Sequence, residues 1–101
     1  MKFAIKITNE ASADLDGVFE YIFSKSPVQA EKFVDALLGK VRTLSSMPKR
    51  CPVAPESYGK ALGIRHLIYE RYRVLFMLCE KEVIILRIIH GARVNFEIGQ
   101  A

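Results

Sequence analysis

Seven basic side chains on or beside apolar runs are the residues of this 101-residue chain best suited to chemistry: Arg65, His66, Arg71, Arg73, Arg87, His90 and Arg93. Guanidinium groups hold carboxylates and phosphates through paired N–H donors. An imidazole can move a proton near neutral pH. A sheet face lined by such groups would seat an anion. Taken alone, His90 at a strand end beside Gly91 reads as a hydrogen-bonded structural histidine, and the alternative is a general acid or base. Arg73 and Arg87 break a local rule, because Arg73 stands among Leu75 and Met77, and Arg87 among Val83, Ile85 and Ile89. With a three-residue turn at 80–82, positions 75 and 87 fall opposite each other and both arginines share one sheet face. A guanidinium is almost never buried unpaired. That face is therefore either partly open or supplied with a carboxylate, for which Glu56 and Glu70 are the candidates. Glu56 itself is an ordinary solvated carboxylate unless its Pro-rich loop folds over the sheet.

The elements that must position these groups follow from periodicity. Residues 3–8 alternate loosely, with Phe3, Ile5 and Ile7 on one face, and predict a short strand. Over 10–24 the period becomes helical: Ala11, Leu15, Val18 and Ile22 form a stripe that Phe19 widens. Thr8 or Asn9 can cap its start, Glu10 suits the first turn, and Gly17 weakens its interior. Ser26 as N-cap, Pro27 as first helical residue and Gln29 complete a Ser-x-x-Gln capping box. Ala30, Phe33, Val34, Leu37, Val41 and Leu44 then mark a second helix to about residue 46. The short link makes an antiparallel helical hairpin. Residues 47–60 hold Pro48, Pro52, Pro55 and Gly59 and read as loop. Residues 61–68, 72–78 and 83–89 read as strands, the last two apolar on both faces as central strands are. The order β-α-α-β-β-β predicts an α+β fold, a helical hairpin packed on a small, mostly antiparallel sheet.

Composition narrows the function classes. The length suits one domain, 1–101, within the roughly 100–150 residues domains favour. Half the residues are hydrophobic and 10% aromatic, which excludes a disordered chain. No apolar run approaches the ~20 residues of a membrane span, and the start is too short for a signal peptide, so the expected compartment is the cytoplasm. Residues 1–35 carry four basic against six acidic side chains, net −2, and the remainder eleven against five, net +6. The basic part favours an acidic partner. Cys51 and Cys79 fit no metal spacing or disulfide framework. There is no phosphate loop, HExxH, CxxC or GxSxG, so neither a metal nor a cofactor is expected.

The assembled residues resemble the RelE/ParE superfamily of toxin–antitoxin toxins over nearly the whole chain. The first half matches as Ala13-Asp14-Leu15, Tyr21-Ile22, Ser26-Pro27-x-x-Ala30, Phe33, Leu37 and Leu44 before Pro48. The second half matches as Pro55-Glu56, Gly63-Ile64-Arg65, Tyr72-Arg73-Val74-Leu75-Phe76 and Ile85-Leu86-Arg87-Ile88-Ile89-His90-Gly91-Ala92-Arg93. Tyr-Arg-Val-Leu-Phe followed by a strand ending His-Gly-Ala-Arg looks like the ParE branch. The resemblance implies a bacterial toxin of the plasmid-stabilisation kind that inhibits DNA gyrase by binding. It also implies a cognate antitoxin, usually ribbon–helix–helix, whose acidic-apolar C-terminal segment wraps the toxin in a heterotetramer or beside a toxin dimer. Arg65, Arg73, Arg87, His90 and Arg93 would then line the surface that meets target or antitoxin, with no catalytic residue. The alternative is a RelE-like, metal-free, ribosome-dependent mRNA endonuclease. For that, Glu56, Arg73 and His90 fall at places comparable to a Glu, Arg, His set of one branch. The lysine cluster of the RelE branch has no match before Arg65, and no tyrosine follows Arg87, which lowers the nuclease reading. A third reading is an inactive antitoxin-binding module.

Overall fold

A computed structural model describes residues 2–57 and 63–91, Glu56 by its backbone alone. The chain runs β1 (Ala4–Ile7), α1 (Asn9–Phe23), α2 (Pro27–Arg42), three 3-10 turns (Thr43–Ser45, Pro48–Arg50, Pro55–Ser57), β2 (Arg65–Tyr69), β3 (Tyr72–Cys79) and β4 (Glu82–His90). This is the expected β-α-α-β-β-β order. The sheet order is β1-β4-β3-β2. Only β1 and β4 pair in parallel; the other two pairings are antiparallel. The two strands apolar on both faces, β3 and β4, are the central ones.

Local chemistry sets both helix starts. The Thr8 hydroxyl accepts from the Ala11 amide at 3.1 Å and donates to the Ile85 carbonyl at 2.8 Å, so one side chain caps α1 and ties it to β4. Ser26 caps α2 by accepting from the Gln29 amide, with Pro27 in the first turn. The second helix stops at Arg42 rather than residue 46, because Thr43–Ser45 tightens into a 3-10 turn. The stripes bury Ala11 and Val18 of α1 and Ala30, Leu37 and Val41 of α2. With Val74, Phe76, Val83, Ile85 and Ile88 of the sheet they form the main core. A smaller cluster, Ala54, Ile64, Leu75 and Ile89, covers the other face.

The loop after α2 is a support for the sheet edge. Val53 makes an isolated antiparallel bridge to Arg65, and the His66 amide donates to the Pro52 carbonyl at 3.1 Å. Its prolines confine it to this edge contact.

The β3–β4 hairpin corrects one expectation. Cys79 pairs with Glu82, so the turn has two central residues, Glu80 and Lys81, not three. The pairing of Leu75 with Arg87 nevertheless holds, because a bulge at Leu75/Phe76 leaves Leu86 without a partner and shifts the register back.

Candidate functional site

Of the groups singled out by type, Arg71, Arg73 and His90 border one cavity at the end of the sheet where β3 begins and β4 ends. Tyr72 pairs with His90 across the ladder, and their rings meet edge to face, centroids 5.5 Å apart. Phe33 of α2 packs on Tyr72 at 5.5 Å and on Tyr69 at 5.6 Å, which fixes the tyrosine from the helix side. His90 stays exposed. Gly91 follows because the chain there runs against the preceding hairpin. Its amide donates to the Arg71 carbonyl at 2.6 Å, and a Cβ on it would stand 3.2 Å from that oxygen.

Two shallow cavities open on either side of the Tyr72–His90 wall. One, of about 450 Å³, is bordered by Ile68, Glu70, Arg71, Arg73 and Gly91. The other, of about 300 Å³, lies between α1 and β4, where Asp14, Gly17, Tyr21, Arg87 and Ile88 border it. Tyr21 and Ile68 are both more than half exposed, 61% and 62%, so the rim offers apolar as well as polar contact.

Arg87 belongs to the second cavity and is not loose. Its Nε and Nη2 donate to the two carboxylate oxygens of Asp14 at 2.6 and 2.8 Å, a bidentate pair. The Ile88 amide adds a third bond to Asp14, at 3.0 Å. β1 ends at Ile7, opposite Ile85, so this stretch of β4 has no strand on its outer side, and Asp14 serves that edge. The pair raises the Arg87 pKa, chiefly through the hydrogen bond to Asp14. The expected carboxylate partner of Arg87 exists in Asp14 of α1. Arg87 therefore faces the helix α1.

Arg73 takes a different environment, beside Leu75 and Ile89 on the face away from the helices. It is 5% exposed, and its Nη1 lies 3.1 Å from His66 Nδ1. The register sets Leu75 opposite Arg87 and Arg73 opposite Ile89, as expected for arginines on one side of the ladder, but neither guanidinium lies open: Asp14 holds that of Arg87, and Arg73 is buried. As a surface residue Arg73 offers little. Arg65 sits at the far end of β2, about 13 Å along the strand from Tyr69. Its guanidinium donates to the Cys51 carbonyl at 2.6 Å and the Lys49 carbonyl at 3.4 Å, fastening the loop to the sheet. Arg93, Tyr58, Phe96, Ile98 and the Glu56 side chain lie outside the described residues.

Periodicity alone missed two members of the site. Asp14 lies off the apolar stripe of α1, yet it is the anchor of Arg87. Tyr72 opened the Tyr-Arg-Val-Leu-Phe run, and its register opposite His90 follows from the same pairing that joins 75 to 87. Burial, then the nearby Tyr21, pushes the Tyr72 phenol above its ordinary value. It stays neutral at physiological pH and can donate or accept a hydrogen bond. Burial also pushes the Cys51 thiol up, against the pull of Arg50 and Arg65, so it is a poor nucleophile. Among the described residues no three His, Cys, Asp or Glu side chains are grouped to hold a metal ion. Nor is any helix there long and apolar enough to cross a membrane. The arrangement offers aromatic faces and hydrogen-bonding groups to a partner.

Comparison with known proteins places this geometry. Residues 5–95 match the family model of the ParE toxin of type II toxin–antitoxin systems, parDE. The chain is similar to a solved chain of the chromosomal ParDE toxin–antitoxin system from P. aeruginosa. The TM-score is 0.73 at 28% identity, with 88% of this chain and 96% of that one covered. It is also similar in fold to a chain of the RelBE2 toxin–antitoxin complex from Mycobacterium tuberculosis. There the TM-score is 0.63 at 22% identity, with 89% and 99% covered. No curated protein matches the sequence. With nearly its whole length matched and the order β-α-α-β-β-β shared with both neighbours, the chain belongs to the ParE toxin family of type II toxin–antitoxin systems.

Proposed function

We propose that this ParE-family chain acts by binding DNA gyrase, with no reaction of its own, and that a cognate antitoxin neutralises it. The observation that carries the reading is the match of residues 5–95 to the ParE family. The buried position of Arg73 adds support. Metal-free RNA cleavage needs an accessible cation for the phosphorane charge, and a guanidinium 5% exposed is poorly placed to supply it.

In this reading the exposed His90, with Tyr72, Tyr21 and Ile68 around it, makes the direct contact. Arg93 would extend that contact, Arg65 would contribute at the other end of β2, and Arg73 and Arg87 would hold the strands that present it. The antitoxin is of ribbon–helix–helix type, with an acidic-apolar C-terminal segment that suits a basic partner. Toxin and antitoxin assemble in the bacterial cytoplasm as a heterotetramer, and the pair stabilises a plasmid.

A second reading, ribosome-dependent mRNA cleavage by Glu56, Arg73 and His90, keeps one observation in its favour: Arg73 and His90 border the same cavity. Regulated expression tests the toxin reading. Induction of the chain alone should arrest growth, and co-expression of the neighbouring antitoxin should restore it. His90→Ala should weaken the arrest or the antitoxin affinity. Unimpeded growth would leave the inactive-module reading in its place.

A further inference from the structure

The cations at the C-terminal end of α2 take no part in the site around His90. Between Asp35 and Glu56 the sequence has no acidic residue but carries Lys40, Arg42, Lys49 and Arg50. All four are exposed. The fold brings the loop back to the end of α2: the Arg50 guanidinium donates to the carbonyls of Thr43, Ser46 and Met47 at 3.4, 3.1 and 3.3 Å, and to the Thr43 hydroxyl at 2.8 Å. Arg65 joins them through its bonds to the Lys49 and Cys51 carbonyls. Lys2 adds to the group, since the amide of the next residue, Phe3, donates to the Ser45 carbonyl.

Some of this charge has local work. Lys40 and Arg42 complement the helix dipole, and Arg50 and Arg65 bond to carbonyls. Those roles do not neutralise it. Among the described residues Lys40, Arg42 and Lys49 enter no ion pair. At the β3–β4 turn, Lys6 stands 3.9 Å from Glu82. The cavities beside Tyr72 and His90 lie at the opposite end of β3. The α2 helix, 16 residues long, separates this end from the α1–α2 link by about 24 Å.

We infer that the surface formed by Lys40, Arg42, Lys49, Arg50 and Arg65 binds the phosphate backbone of duplex DNA without sequence preference. Charge complementarity argues for the occupant. Among the described residues these long cations have no carboxylate in an ion pair with them, and such flexible charges match a regular array of phosphates. The inference rests on the charge distribution and not on the choice of gyrase as target.

Fluorescence anisotropy of a labelled mixed-sequence 20-bp duplex with the full-length free chain tests it, with no gyrase present. Five phosphate contacts predict a log–log salt slope of about −4.5, or roughly a 500-fold loss of affinity between 50 and 200 mM salt. Lys40→Gln/Arg42→Gln/Lys49→Gln should flatten that slope by about 2–3. Lys49→Gln alone, at an exposed site outside the helices, should flatten it by about 1. Lys25→Gln, at the α1–α2 link, should leave it unchanged. Absence of binding at 50 mM salt would overturn the inference. So would a slope that survives the triple substitution in a folded variant, or tighter binding of a single-stranded RNA of equal length.

Discussion

Asp14 holds three hydrogen-bond donors at once, two from the Arg87 guanidinium and one from the Ile88 amide. Removing it leaves a partly buried guanidinium and a strand amide without their acceptor. Asp14→Ala should lower unfolding stability by about 2 kcal/mol, below the range for a fully buried pair because both side chains retain some exposure. Asp14→Asn, which keeps an acceptor, should cost less. Urea unfolding checks both, and a loss under about 0.5 kcal/mol for the alanine variant would show that water replaces the carboxylate there. Tyr72 sets a pH dependence. Its folded-state pKa is raised by burial and by Tyr21 from an ordinary value of 10.0. Below that value the phenol is neutral in both states, and its contribution to stability is fully present. As pH rises, the unfolded chain ionises first, and the contribution is lost as pH approaches the raised folded value. Tyr72→Phe should flatten the fall in stability above pH of about 10. A slope equal to that of the unsubstituted protein would contradict the burial argument.

At the scale of elements, a glycine inside a helix and one just past a strand end should respond in opposite directions. A Cβ at Gly17 would meet nothing within 4 Å, so Gly17→Ala should raise stability by about 1 kcal/mol, the helix-propensity difference. A Cβ at Gly91 would press on the Arg71 carbonyl, a backbone atom with little room to give, and Gly91→Ala should lower stability by about 1 kcal/mol. Thermal melts of the two variants read both signs. Much of this level was legible in the sequence. The Thr8 and Ser26 caps, the two helical stripes and the central place of β3 and β4 each follow from residues whose local preferences agree with the fold. The bulge was not legible, because Leu86 is one more apolar residue in an apolar run and only the ladder shows that it lacks a partner. For the same reason the destination of Arg87 was hidden: the bulge and the end of β1 bring Asp14 to it across 73 positions of sequence. The cation end of α2 was visible only as a net charge, since loop bonds from Arg50 and Arg65 are what gather it into one surface.

At the scale of the whole molecule, the charge asymmetry and the two cavities separate into different regions. The Tyr72–His90 wall lies at one end of the sheet, and the cations around Arg50 at the other. The ParE fold is shared with a RelBE toxin–antitoxin complex, so architecture alone does not select between gyrase and the ribosome. The site does separate them chemically: gyrase binding needs an exposed contact surface, whereas cleavage needs Glu56, Arg73 and His90 to converge on one phosphate. The direct test of the central claim is a supercoiling assay with purified gyrase and this protein, run beside ribosome-programmed mRNA. Inhibited supercoiling or trapped DNA breaks, with the mRNA intact, is the result the account predicts. Cleaved mRNA with gyrase untouched would contradict it and assign the activity to Glu56, Arg73 and His90.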